Sequence, residues 1–82
     1  MLRTMEVINE SGTFYLNGDG QRLKLTDREV NLFRQMKPMG RQLLLRKRAA
    51  NKRQSNPNDP EIKLILSLAK RPALEWNFRI PA

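Results

Sequence analysis

Arg46-Lys47-Arg48, followed by Lys52 and Arg53, is the cluster whose residue types and spacing are best suited to chemistry, and that chemistry is the neutralisation of phosphate. Basic side chains gathered on one helix displace the counterions condensed on a polyanion, and arginine can also dock bidentate on a guanine edge. Arg34, Lys37 and Arg41 extend the patch toward the N-terminus. Asn51 and Gln54 lie among the charges, where an amide can pair with an adenine edge; the plainer reading makes them polar surface residues near a helix end. For the basic run itself, the plainer reading is a solvated helix whose charges keep a small protein dispersed.

Charge segregation favours the phosphate reading. Sixteen Lys and Arg stand against eight Asp and Glu in 82 residues, a formal charge of +8. Residues 30–58 contain Arg34, Lys37, Arg41, Arg46, Lys47, Arg48, Lys52 and Arg53 and no acidic residue, so the middle third holds essentially the whole excess. Catalytic alternatives are thin by comparison. Without Cys or His the chain lacks a thiolate nucleophile, a disulfide, the usual acid/base near neutral pH and the commonest metal ligands. Glu29, Asp59 and Glu61 fall at helix-capping positions and Asp19 in a turn, which leaves no convergent carboxylate pair. Gly18 and Gly20 are not followed by the Gly-Lys-Ser/Thr of a phosphate loop. The chain is expected not to be an enzyme and to need neither cofactor nor metal.

Spacing also shows the elements that must position the basic cluster. Arg3 to Ile8 and Thr13 to Leu16 are β-favouring runs around Asn9-Glu10-Ser11-Gly12, where Asn and Gly supply the positive φ of a tight turn. Asn17-Gly18-Asp19-Gly20 contains two strong hairpin-turn pairs, and Arg22-Leu23-Lys24-Leu25 then alternates charge with leucine. A three-stranded meander over residues 1–25 follows, with Phe14, Leu16, Leu23 and Leu25 on one face and Tyr15, Arg22 and Lys24 on the other. Thr26-Asp27-Arg28-Glu29 is a capping box, and steps of about 100° gather Leu25, Val30, Leu32, Phe33 and Met36 on one packing arc. Pro38 disfavours helical geometry at Lys37, so the first helix is expected to stop near Lys37 and a second to begin between Met39 and Arg41, at helix–turn–helix spacing.

The second helix runs to about Gln54 and holds the cluster. Only its first turns, with Leu43, Leu44 and Leu45, are expected to be buried, because basic residues occur nearly all round the remainder; Leu43 and Ala50 share a side. Ser55 to Asp59, with Pro57, is a connector, and Asp59-Pro60-Glu61 restarts a helix with Asp59 as its N-cap. Ile62, Ile65, Leu66, Leu68 and Ala69 give that third helix an apolar face, and Lys70-Arg71 falls at its negative end before Pro72. Ala73 to Ile80 alternates Leu74, Trp76, Phe78 and Ile80 against Glu75, Asn77 and Arg79, a half-buried strand expected to join the meander. Aromatic rings can stack on unpaired bases; Trp76 keeps step with the apolar side of its strand and is read as core, whereas Tyr15 faces outward.

The run from Thr13 to Glu29, with its strand pair, its Leu25-Thr26 step and its acidic cap, resembles the winged-helix effector domain of OmpR-type response regulators, which a closing strand at 74–80 also suits. That family carries its DNA-reading charge on a third helix, whereas the charge here falls on the second. Leu25 to Ala50, with Leu32-Phe33-Arg34-Gln35-Met36, Pro38, Gly40-Arg41 and Leu43-Leu44, is similar to the helical-hairpin tails of small phage-type repressors, which pack or dimerise.

The expected fold is therefore α+β in one small domain over residues 1–82: a β-meander at 1–25, three helices at 26–71 and a C-terminal strand at 73–80, with a winged-helix-like or helix-hairpin core. The expected function is nucleic-acid binding, DNA before RNA, by a small transcriptional regulator of the kind phages and mobile elements encode. Arg46, Lys47, Arg48, Lys52 and Arg53 would make most phosphate contacts. An adaptor or inhibitor docking on host transcription or replication machinery is the first alternative, and an arginine-rich-helix RNA binder the second. No run approaches the roughly 18 apolar residues of a membrane span or the apolar stretch of a signal peptide, so a cytoplasmic location without membrane contact is expected. A domain this small buries only about 60% of its unfolded surface, so a partner or a two-fold dimer is expected to help stabilise it.

Overall fold

The computed structural model describes residues 4–70, 73 and 75–80; Arg3, Arg71, Pro72 and Leu74, to which the sequence pattern assigns strand and helix-end roles, lie outside them. The architecture is α+β, with a four-stranded sheet and three helices. Strands β1 (Thr4–Glu10), β2 (Thr13–Gly18) and β3 (Gln21–Leu25) are followed by helices α1 (Asp27–Gln35), α2 (Pro38–Ser55) and α3 (Pro60–Leu68) and by strand β4 (Glu75–Arg79). In the sheet the order is β3-β2-β1-β4. The meander pairs are antiparallel, whereas β4 runs parallel to β1 at the edge, so the chain crosses the sheet through all three helices before it returns.

Both meander turns are two-residue loops in which both residues have positive φ: Ser11 and Gly12 in the first, Asp19 and Gly20 in the second. Such loops match the right-handed twist of the strands they join. Asn9 Oδ1 accepts from the Gly12 amide at 3.0 Å and closes the first of them. The register pairs Phe14 with Leu25 and Leu16 with Leu23, which puts the leucines into the core, while outward-facing Tyr15 carries the Arg22 guanidinium 4.7 Å from its ring centroid. Of the two glycines expected to turn, Gly20 does so and Gly18 closes a strand instead. Gly18 is buried, and a Cβ there would collide with Met5 Sδ.

The capping box at α1 is formed: Thr26 Oγ1 accepts from the Glu29 amide at 3.1 Å, and Glu29 Oε1 accepts from the Thr26 amide at 2.8 Å. α1 ends at Gln35, before the expected Lys37, because Pro38 is the first residue of α2 and no spacer. Proline is well suited to that position, since its missing N–H is one the helix would leave unpaired anyway. α3 starts as expected, with Asp59 Oδ1 accepting from the Glu61 amide at 2.8 Å. It ends at Leu68 with Ala69 as its C-cap, so Lys70 lies past the last turn.

The core draws on every layer: Met5, Val7, Leu16, Leu23 and Leu25 from the sheet, Val30 and Phe33 from α1, Leu45 and Ala49 from α2, and Ile62, Ile65 and Leu68 from α3. Burial on α2 extends beyond its first turns to Ala49, while Leu43 and Ala50, on their shared side, point to solvent. The expected packing arc of α1 is divided: Val30 and Phe33 are buried, Leu32 and Met36 only half so. Trp76 and Phe78 from β4, and Ile80 just after it, pack partly buried against the core, and the Trp76 ring centroid lies 5.4 Å from that of Phe33.

Gly18→Ala places a methyl group against Met5 and Leu68 in a filled layer and is expected to lower stability by about 1–3 kcal/mol, read as a drop in urea midpoint without a change in slope.

Candidate nucleic-acid interface

α2 has 18 residues, about 27 Å of helix, with no acidic residue in its first turn and with Lys52 and Arg53 in its last, where cations complement the dipole. Its inward stripe is Leu45 and Ala49. Three of the basic residues expected at the interface instead flank that stripe, half-buried, and have internal partners.

Arg48 is the most engaged of them. Nη1 donates to the Lys24 carbonyl at 2.9 Å and lies 3.1 Å from Glu29 Oε2, while Nη2 reaches Glu61 Oε1 at 2.8 Å. One guanidinium thus joins the end of β3 to the first turns of α1 and α3. The planar fork of arginine reaches these acceptors from two separate nitrogens, a geometry that the single nitrogen of lysine does not reproduce. Lys52 Nζ adds Asp59 at 3.7 Å and Glu61 at 3.9 Å. Arg41 donates from Nε to the Phe33 carbonyl at 2.7 Å, and its guanidinium lies 4.9 Å from the Trp76 ring centroid and 5.2 Å from that of Phe78. Desolvation in this seat lowers the pKa of Arg41 from the usual guanidinium value. These three residues tie the fold together, which the sequence could not distinguish from phosphate binding because both roles call for the same side chains.

Arg46, Lys47 and Arg53 are exposed on α2, and Arg34 and Lys37 are exposed just before it; among the described residues none of the five has a carboxylate partner. Asn51 and Gln54 are exposed with them. At about 100° per residue, Arg46 and Arg53 share one edge of the outer face and Lys47 and Asn51 the other, with Met39, Leu43, Ala50 and Gln54 between them. Met39 is 68% and Leu43 60% exposed, an apolar strip that the expectation of buried first turns did not foresee.

Between α1 and α2 lies a groove of about 680 Å³, whose lining includes Arg28, Leu32 and Met36 from the α1 side and Leu44, Lys47 and Asn51 from α2. Arg28 was not among the expected site residues. Its signal was the stripe Arg28, Leu32, Met36, which puts a cation in line with two apolar residues along one helix face.

Among the described residues no three carboxylates gather to hold a metal ion, and no helix is long and apolar enough to cross a membrane. Compared with protein-family models, curated proteins and solved structures, the chain gives no match. The geometry therefore carries the functional reading by itself.

Arg48→Ala leaves Glu29, Glu61 and the Lys24 carbonyl without their shared donor and is expected to destabilise the fold by about 1–3 kcal/mol in urea titration. Arg46→Ala/Arg53→Ala touches no internal partner and is expected to stay within about 0.5 kcal/mol of the parent.

Proposed function

We propose that the protein binds nucleic acid through the solvent face of α2. The observation that carries this reading is the division of charge around that helix: inward Arg48 and Lys52 are matched by Glu29, Asp59 and Glu61, and outward Arg46, Lys47 and Arg53 have no carboxylate partner among the described residues. An uncompensated cationic helix face concentrates polyanions and gains free energy by releasing their counterions. A single helix about 10–12 Å across fits a DNA major groove about 12 Å wide. In that pose Arg46 and Arg53 face the phosphates of one strand and Lys47 those of the other. Leu43, Ala50 and Gln54 then reach base edges, the apolar pair toward thymine methyls and the amide toward adenine, while Asn51 lies with Lys47 at the edge of the face. Lys37 and Arg34 add positive charge before the helix. On this reading the site performs recognition.

A second reading, docking on a host protein, is favoured by one observation: Met39 and Leu43 are exposed side by side on the same face. Apolar surface that water covers in the free protein gains by contact with another apolar surface, and a phosphate backbone does not provide one.

Fluorescence anisotropy with labelled duplex DNA and with a hairpin RNA, across a salt series, tests the proposal. Micromolar binding with a steep logarithmic salt dependence is expected. Arg46→Ala/Arg53→Ala is expected to make the slope shallower by about 1.8, the loss of two phosphate contacts on B-DNA. Unchanged affinity and slope in that variant would remove α2 from the interface, and absence of binding to both probes at low salt would leave the protein-docking reading in place.

A further inference from the structure

α1 and α2 diverge from the short Met36-Lys37 connection and pack little along their lengths, leaving an open trough between them. Half-buried Leu32, Met36 and Leu44 form the apolar part of its floor, beside the half-buried Glu29–Arg48 pair. Its rim is cationic: Arg28 on α1 and Lys47 on α2 are exposed and have no carboxylate partner among the described residues. The one acid in the lining, Glu29, is engaged by Arg48 and by the Thr26 amide. The α2 side runs from Leu44 to Ser55, about 17 Å, or three turns of a helix.

These features select the occupant. A bare polyanion would satisfy the rim and leave the apolar floor wet, and a neutral apolar segment would cover the floor and leave the rim uncomplemented. A volume of about 680 Å³ is in the range of small-molecule sites, but such sites enclose most of the ligand surface, whereas this trough is open along one side. An apolar floor between two helical walls suits a helix laid lengthwise, with anchors at i, i+3, i+4 and i+7.

We infer that the groove between α1 and α2 docks an acidic amphipathic helix from a partner protein, its apolar face on Leu32, Met36 and Leu44 and its carboxylates against Arg28 and Lys47. This surface differs from the nucleic-acid face: Arg46 and Arg53 lie on the edge of α2 turned away from the groove, and Lys47 and Asn51 border both. The inference stands whether or not α2 binds nucleic acid.

The test is anisotropy of a fluorescein-labelled 14-residue synthetic helix, with Leu at i, i+3, i+4 and i+7 and Glu on its flanks, titrated with the full chain at about 0.15 M salt. Micromolar binding is expected, with at least about tenfold weaker binding for a peptide of the same composition whose leucines are scattered round the helix. Arg28→Glu/Lys47→Glu, two exposed positions, is expected to weaken the patterned peptide by at least about tenfold, since it replaces two attractions by two repulsions. Arg46→Ala/Arg53→Ala should leave peptide affinity within about twofold while it weakens DNA, so failure of one reading is distinguishable from failure of the other. Equal binding of the two peptides, no binding of either, or no effect of the charge reversal would overturn the proposal. Displacement of the peptide by equimolar laurate would overturn it in favour of a small anionic amphiphile.

Discussion

Three elements of the fold meet at Arg48 of α2. The first turn of α1 presents Glu29, the first turn of α3 presents Glu61, and the end of β3 presents the Lys24 carbonyl. Two helix N-termini converging on one point would bring two positive dipole ends together, and the carboxylates at those ends offset them. A cation holds the carboxylates side by side, and the planar guanidinium serves both of them and a backbone carbonyl from two nitrogens. The guanidinium is also partly screened from solvent, with 21% of its side chain exposed, so these contacts are stronger than those of an open surface pair.

That arrangement shapes the electrostatics of the rest of the molecule. Glu29, Asp59 and Glu61 are the acids that pair with α2, and all three are engaged on its inward side by Arg48 and Lys52. Farther away, Glu6 pairs with Arg79 and Glu10 with Arg22 on the sheet. The outer face of α2 is consequently left with Arg46, Lys47 and Arg53 and no counter-charge nearby. One pool of basic residues supplies both the cations that tie the fold together and those that face solvent, and orientation around a single helix divides them.

A second contact set fixes the other end of the helical layer. Trp76 and Phe78 on β4 pack toward Phe33, Arg41 covers both rings, and its Nε caps the Phe33 carbonyl near the end of α1. At that end Gln42 Nε2 also donates to the Ala69 carbonyl at 2.9 Å, joining the start of α2 to the end of α3. α2 is therefore held to α3 at both ends, whereas its polar contacts to α1 among the described residues come from Arg41 near the connection and Arg48 near the first turn. The open groove lies between those two attachments.

Local signals were sufficient for most of the fold because they act over a few residues. The two-residue turns depend on positive φ, the Thr26-Glu29 box and the Asp59-Pro60 start depend on side chains reaching the nearest free amides, and the alternation around Trp76 and Phe78 depends on the pleat. From these the meander, three helices and closing strand were legible in order, together with the concentration of charge in the middle third. Tertiary structure decided what is not local: that β4 runs parallel to β1, that Gly18 closes a strand because Met5 lies against it, and that Pro38 begins α2. It also decided which cations are free. Arg46 and Arg48 differ in sequence by two positions and in chemistry hardly at all, but two residues along a helix is about 200° of rotation, and that rotation places one in solvent and the other between two carboxylates.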